Sequence, residues 1–580
     1  MGSFGDIART ALQPFQRVSR RNFLRGTMGV GALTLLPGSL NTANAGNFAD
    51  LIDRDLRERH EPDALNPAEF RPFMHGVASG DPLPHSVVLW TRVTPSPEAV
   101  PGSSKGLPVR LRWEIATDVE FTEIVKTGEE TTTAERDHTL HVEPWGLNPG
   151  TEYFYRFSIV GGKFDGVTAP IGRTKTAPAP NDTPDQLNLA VCSCANFESG
   201  YFAAYSDIAR RAADGDIDVV VHLGDYIYEY ASGLYAGKYG VVRTHEPTWE
   251  IVSLSDYRAR YGRYRRDYEL QAAHAAAPWV VMWDDHEIAN NAWEHGAPAH
   301  TGWHGDWEQR RASAMQAYLE WLPVRGLAPT QGGHIYRSLR FGTLAELTML
   351  DLRSYRDKPE TLNVKRSLED GRTIMGAEQF DWLQRKLERP ETRWNIVGTS
   401  VMVSPVSLVN MDTRMGDAVR KLIGADCDGL PYNLDQWDGY MADRARLMSV
   451  LTKRAEQHPD SGTVFLAGDI HSEWATELEA GGRTVAAELV CTSVSAPNID
   501  DALGLPIDSQ PSTQAEAHLL RANPAVKHVD LDAHGYGLVS ITRAHVSMTY
   551  LRVEEVTTAG SPIAPARTAR FNGATVEITA

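Results

Sequence analysis

Four short apolar runs in the middle of this 580-residue chain each stop at a side chain that can bind a metal or move a proton. LNLAVCSC ends at Cys194, DIDVVVHLGD at Asp225 and WVVMWDD at Asp285, while TVFLAGDIHS ends with Asp469 and His471. Runs this apolar suit strands buried on both faces, as in parallel sheets. A helical stretch, GYFAAYSDIARRAAD, separates the first run from the second, so the chain reads strand, helix, strand. In open α/β sheets, ligands collect beyond the carboxyl ends of the strands. The runs therefore predict an α/β (α+β) domain over residues 186–560 that gathers these side chains at one edge.

The preceding region has another rhythm. VVLWTRV, VRLRWEIAT, HTLHVEPW and TEYFYRFSIV are short, rich in Val, Thr and aromatic residues, and separated by turn residues. They predict an immunoglobulin- or fibronectin-like β-sandwich over 72–178, closed by the linker TKTAPAPNDTPD. Residues 46–71 are a lead segment, and 561–580 form either a final strand pair or a lid over the site.

At the amino terminus, SRRNFLRG is a twin-arginine pattern, followed by a weakly apolar stretch and Ala43-Asn44-Ala45, an A-x-A cleavage site. Residues 1–45 thus read as a twin-arginine signal, which predicts a periplasmic or secreted protein and the twin-arginine export machinery as a partner. No apolar run reaches the roughly 18 residues of a membrane span. Formal charge is −18, and the five Arg and one Asp of the first 45 residues contribute +4, leaving −22 for the remainder. Such a surface repels polynucleotide backbones, so nucleic acid is excluded as a partner. Small phosphate esters are not excluded, because bound cations can supply local positive charge.

WDDHEIANNAW, at 283–293, is the densest chemical stretch. It has four consecutive titratable side chains, Asp284 to Glu287, which repel and desolvate one another unless something neutralises them. A cation is the simplest neutraliser. Asp225 with Tyr228 is weaker by itself, as is Asp469 with His471, two residues apart and facing the same way from an extended chain. Cys192 and Cys194 fit a disulfide, apolar filler or a metal ligand. Two residues apart in a strand, their Cα atoms lie roughly 6.6 to 7 Å from each other, at the limit for a bridge. His222 reads as a core residue and His534 as a packed histidine. His295, His300 and His304 read as solvated, with the lining of an entrance as the alternative. Cys427 reads as a loop thiol and Cys491 as a small buried hydrophobe, with a bridge between them left open.

Together, SCANFESGYF, HLGDYIYEY, WDDHEIAN, AYLEWLPVR, MLDLRSYR, LAGDIHS and HGYGLVS resemble the alkaline phosphatase D (PhoD-like) family of metallophosphoesterases. The order GD-x-x-Y, D-H-E, G-x-x-H is similar to that of calcineurin-like enzymes and purple acid phosphatases. The resemblance implies a calcineurin-like β-sandwich flanked by helices, with a ferric iron beside calcium. Carried over by motif, Cys194, Asp225, Tyr228 and His471 would hold iron, with Asp225 bridging. Asp285, Asn290 and Asp469 would hold calcium, with Asn291 as the substitute for Asn290. The residues agree: thiolate, phenolate and imidazole suit ferric iron, and all-oxygen donors suit a hard cation.

The activity implied is exported alkaline phosphatase, cleaving phosphomonoesters and phosphodiesters with metal-activated water for phosphate acquisition. The alternative is an iron-dependent phospholipase D, acting on phospholipid head groups, or a general phosphodiesterase. His286 is the expected phosphate contact or proton donor, with orientation of a ligand as its other role. Arg353 is the expected guanidinium for developing charge, with a surface salt bridge as the alternative.

Overall fold

The strand–helix–strand reading holds in the computed structural model, which describes residues 42–58, 70–360, 364–409, 414–423 and 431–580. Strand Gln186–Cys192 pairs in parallel with Val219–His222, and that strand pairs in parallel with Pro278–Val281. The connecting helix, Ala203–Ala213, buries Ala204, Ile208 and Ala212 along one face. Burying Ile208 alone contributes roughly 1.5–3 kcal/mol.

These strands lie inside a ten-stranded sheet. On one side it continues through Gly535–Thr542, Val546–Val553, Ile563–Phe571 and Val576–Thr579. Of the two expectations for 561–580, the structure shows the strand pair, at the sheet's edge. On the other side the sheet continues through Val77–Leu83, Ser86–Arg92 and Thr139–Val142. Strand Val77–Leu83 pairs in parallel with Pro278–Val281, placing Ser79 against Pro278 and Gly80 against Trp279. Gly80 is required there, because a Cβ would sit 2.2 Å from the Pro323 carbonyl oxygen.

The strands expected as a sandwich over 72–178 are thus shared between two sheets. Val109–Ala116, Ile124–Thr132, Glu152–Val160 and Gly172–Lys175 form a separate four-stranded sheet, and the other three extend the large one. Six of the seven residues of Val77–Leu83 are buried, which suits an interior strand.

A seven-stranded sheet faces this assembly. Its parallel centre is Ala345–Met349, Trp394–Gly398 and Gly462–Ala467, in that order. Val191, Val220, Leu347, Ile396 and Leu466 belong to one core cluster, so the two large sheets pack against each other. Among the described residues no helix is long and apolar enough to cross a membrane. The twin-arginine pair and Cys427 lie outside the described residues.

Candidate metal centre

Where the parallel strands end, the backbone turns sharply. Cys194, Asp225, Asp469 and His471 all take positive φ, between 54° and 66°. Non-glycine residues adopt this region at a cost of about 1–3 kcal/mol each, and such strain concentrates at functional sites. The turns also pack closely. A Cβ on Gly224 would lie 2.4 Å from that of Asp284, and one on Gly468 would lie 2.5 Å from Ser193 Oγ. Backbone bonds tie the turns together: Cys194 N–H donates to the Gly224 carbonyl at 3.1 Å and Ala195 N–H to that of Asp225 at 3.0 Å.

Three overlapping groups of ligand atoms result, each within 4.8 Å internally: Cys194, Asp225 and His471; Asp225, Asp285 and His286; Asp284, Asp285 and Asp469. The Tyr228 hydroxyl donates to Asp225 Oδ2 at 3.0 Å and lies 3.4 Å from His471 Nε2. His471 Nδ1 is 2.7 Å from the Pro497 carbonyl, which fixes the ring and leaves Nε2 toward Tyr228. Asp225 Oδ1 and Asp285 Oδ1 are buried with no hydrogen-bond partner, although the Arg353 guanidinium lies 3.4 Å from Asp285 Oδ1. Buried polar atoms are nearly always satisfied, so these two oxygens fit a cation.

Electrostatics point the same way. Burial, reinforced by Asp225, holds the Cys194 thiol well above its ordinary pKa, and burial with the Asp225 charge does the same for Tyr228. Burial raises Asp225 and Asp469 strongly, while burial lowers His471 to about 4. The protons that Cys194, Tyr228, Asp225 and Asp469 hold this tightly are given up when a cation replaces them, and His471 already offers a neutral nitrogen. His286 contrasts with His471. Burial opposes its charge, but Glu229, then Asp225 and Asp285, outweigh burial and raise its pKa well above the ordinary value. Glu229 lies 2.7 Å from His286 Nδ1.

Arg353 is fully buried. Its Nε and Nη2 reach Asp284 at 2.5 and 2.8 Å, Nη1 reaches Asp435 at 2.6 Å, and Nη2 also lies 3.2 Å from Asp469 and 3.4 Å from Asp285. Its planar fork lies on carboxylates here, where the sequence reading expected a guanidinium for developing charge. The surface salt bridge is excluded by its burial. Asn290 and Asn291 are half-buried in the turn after Asp285. Asn290 N–H donates to Glu229 at 2.6 Å, and Asn291, itself at φ 54°, donates its N–H to Asp285.

Cys192 and Cys194 are both buried free thiols, not a bridge, and Cys192 lies outside the ligand groups. His222 is buried, 3.1 Å from the Tyr205 hydroxyl, and His534 packs between Ser493 and Asp501. His295 is exposed, and His304 lies 3.5 Å from Glu250.

A family profile described as PhoD-like phosphatase matches residues 189–550, and one described as PhoD-like phosphatase, N-terminal domain, matches 60–178. The chain belongs to the PhoD-like phosphatase family. It is 34% identical over 556 residues to alkaline phosphatase D of Bacillus subtilis (strain 168), covering 94% of this chain and 86% of that protein. A solved structure of PhoD superposes with a TM-score of 0.75 at 33% identity, covering 88% of this chain and 92% of that one. A purple acid phosphatase from yellow lupin is far more distant, at 11% identity and a TM-score of 0.49 over 82% of this chain and 71% of that one. As a member of the PhoD-like family, this protein is a phosphoric ester hydrolase.

In this PhoD-like centre, sequence reading missed Glu229, Asp435 and Gln436, and gave Asp284 and Glu287 no role beyond the acidic cluster. Glu287 accepts the backbone N–H groups of Asp225, Tyr226 and Asp284 at 3.1, 2.5 and 2.8 Å, joining two turns through one carboxylate. Asp284 and Glu287 were visible inside WDDHEIAN. Asp435 and Gln436 come from a distant loop with no motif of its own, Gln436 donating to Asp469 at 3.1 Å.

Proposed function

We propose that this PhoD-like hydrolase is an exported alkaline phosphatase that cleaves phosphomonoesters and phosphodiesters at a ferric iron and calcium centre, for phosphate acquisition. The observation that carries the reading is the pair of unsatisfied buried oxygens on Asp225 and Asp285, set between a thiol, a phenol and an imidazole on one side and a carboxylate group on the other. Cys194, Tyr228, His471 and Asp225 would hold iron, a donor set suited to that ion. Asp225, Asp285, Asp469 and Asn290 would hold calcium, which favours oxygen donors; Asn291 is the substitute for the amide. Bound cations there supply Lewis-acid chemistry, lowering the pKa of a water and neutralising phosphoryl oxygens.

The chain's own residues do the rest. His286, oriented by Glu229, holds a proton for the leaving-group oxygen. When the phosphorus–oxygen bond breaks, that proton moves to the departing alcohol and the water oxygen stays on phosphorus. Arg353 balances the carboxylates and fixes their directions. The segment 72–178 is read as an immunoglobulin- or fibronectin-like sandwich that shares a sheet with the catalytic region.

The test uses protein exported by its native route. We expect iron and calcium on metal analysis, a visible thiolate or phenolate charge-transfer band, and turnover of both p-nitrophenyl phosphate and its bis ester. Preference for phosphatidylcholine over both would establish the phospholipase D alternative. A colourless, iron-replete protein would sink the ligand assignment.

A further inference from the structure

Carboxylates make the centre polar, but its rim beside His286 is aromatic. The rings of Tyr230 and Tyr235 lie 5.4 and 6.1 Å from the His286 ring and 5.3 Å from each other. Tyr235 is stacked on His286, with 24° between the ring planes, and also on Tyr228 at 5.6 Å. Tyr228 and His286 are buried, whereas Tyr230 and Tyr235 keep part of their surface in solvent. Asn290, Asn291, Asp469 and His471 are half-buried as well, so this is the side on which the centre opens. The opening is therefore amide, carboxylate and imidazole on one part of its rim and aromatic ring on the part beside His286.

Both rings are fixed through their backbone. Asn196 Nδ2 and Ser199 Oγ donate to the Tyr235 carbonyl at 2.7 and 3.3 Å, and the Gly233 N–H donates to Glu198 at 2.8 Å. Arg260, fully buried on helix Leu254–Arg265, closes the neck of this loop. Its guanidinium donates to the Tyr230 carbonyl at 3.1 Å, to those of Pro247 and Trp249 at 2.9 and 3.3 Å, and to that of Tyr228. One side chain thus ties the start of the loop to its end. Further out, Lys238 Nζ lies 2.8 Å from Asp501. A loop fastened at its neck and flank presents its rings in one arrangement, so little ordering entropy is lost when a ligand meets them. Leu234, next to Tyr235, is 71% exposed and adds apolar surface along the same stretch.

We propose that Tyr230 and Tyr235 form the leaving-group subsite of this hydrolase and make it favour phosphate esters of flat, aromatic alcohols. The subsite rests on the reading of His286 as the proton donor, because the alcohol that takes that proton must lie beside the His286 ring. The accessible rings beside it are these two. Aromatic rings attract one another in offset or edge-to-face arrangements beyond what buried area alone supplies. A small polyol gains little from such a wall. A leaving group that carries its own anionic charge gains nothing either, since Lys238 is paired with Asp501 and Arg353 lies on carboxylates.

The test compares 2-naphthyl phosphate with glycerol phosphate on metal-loaded enzyme. The two alcohols differ in reactivity, so the readout is how the ratio of their kcat/KM values changes on substitution. Tyr235→Ala should lower the naphthyl-to-glycerol ratio by about three- to tenfold, through a raised KM for the naphthyl ester instead of a lowered kcat. Tyr235→Phe keeps the ring and should keep the preference. Metal content and melting temperature are followed alongside. If Tyr235→Ala loses metal through its contact with Tyr228, Tyr230→Ala carries the same expectation. A second arm needs no turnover: 2-naphthalenemethanol, which has no phosphate, should bind the parent, followed by its fluorescence, and bind Tyr235→Ala roughly threefold more weakly. Failure of both esters to turn over would remove the phosphatase reading and leave alcohol binding to decide the subsite. An unchanged ratio in the alanine variants with metal retained, or equal alcohol binding by parent and variants, would overturn the subsite.

Discussion

Replacing Arg353 tests how the centre is held together. Its guanidinium serves Asp284 from two nitrogens and Asp435 from a third, at 2.5–2.8 Å. Lysine keeps the charge but brings a single nitrogen, so Arg353→Lys leaves either Asp284 or Asp435 short. Hydrogen bonds to charged groups contribute about 1.5–3 kcal/mol each, and the variant should lose at least one such contact. Arg353→Met strands buried carboxylates outright and should cost about 3–5 kcal/mol. Urea unfolding of metal-loaded protein measures both. The orienting role adds a second readout: Asp285 and Asp469 lose the group that fixes their direction, so calcium affinity should fall roughly 10–100-fold. KM for p-nitrophenyl phosphate at saturating calcium should change little. If stability and calcium affinity stayed at parent values while KM and the inhibition constant of inorganic phosphate rose tenfold, the guanidinium would be facing substrate and this account would be wrong.

Other substitutions probe single links. Cys194→Ser should remove iron and any visible band, while Cys192→Ser, which only buries a hydroxyl, should cost about 1–3 kcal/mol of stability and keep the metal; equal iron loss in both would erase the distinction. Glu287→Ala should leave three buried N–H groups unsatisfied at about 1–3 kcal/mol each, and unfolding near parent stability would show that water or rearrangement takes the carboxylate's place. Glu269, away from the centre, accepts N–H groups from Phe202 and Gly560, and burial followed by Asp267 raises its pKa to about 7. A carboxyl raised in the folded state contributes stability below its unfolded pKa and loses it as pH climbs through the folded value. Relative to the parent, Glu269→Gln should therefore gain ground between about pH 4.5 and 7, by an amount on the order of 3 kcal/mol; a stability difference flat across that window would refute the shift.

The strands whose ends meet at the candidate centre were legible because two independent signals coincided. An apolar run long enough to be buried on both faces ended, each time, in a residue with chemistry. Strand ends are where parallel sheets open, so the runs located Cys194, Asp225, Asp285, Asp469 and His471 without any contact being known. Residues that hold the centre from a distance were not legible. Asp435 and Gln436 arrive from a loop whose own sequence has no period or motif, and only the folded chain brings them to Arg353 and Asp469. The role of Arg353 also eluded sequence, because a guanidinium after a strand can face substrate or carboxylates equally well. Sheet membership was hidden for a similar reason. Alternation describes one strand's two faces and says nothing about which strand lies alongside, so the join between Val77–Leu83 and Pro278–Val281 could not be read from either segment.

That join bears on what a protease would see. The linker at 180–186 is largely exposed and rich in Pro, Asn and Asp, the kind of segment readily nicked. A cut there would yield two polypeptides on a denaturing gel but one particle in native buffer. The parallel pairing of Val77–Leu83 with Pro278–Val281, together with the Trp90 indole donating to the Glu320 carbonyl at 2.8 Å, crosses the cut and does not depend on chain continuity. Deleting the amino-terminal segment is a different operation, because it strips the Trp279 strand of its neighbour and bares a hydrophobic edge beside the turn that carries Asp285.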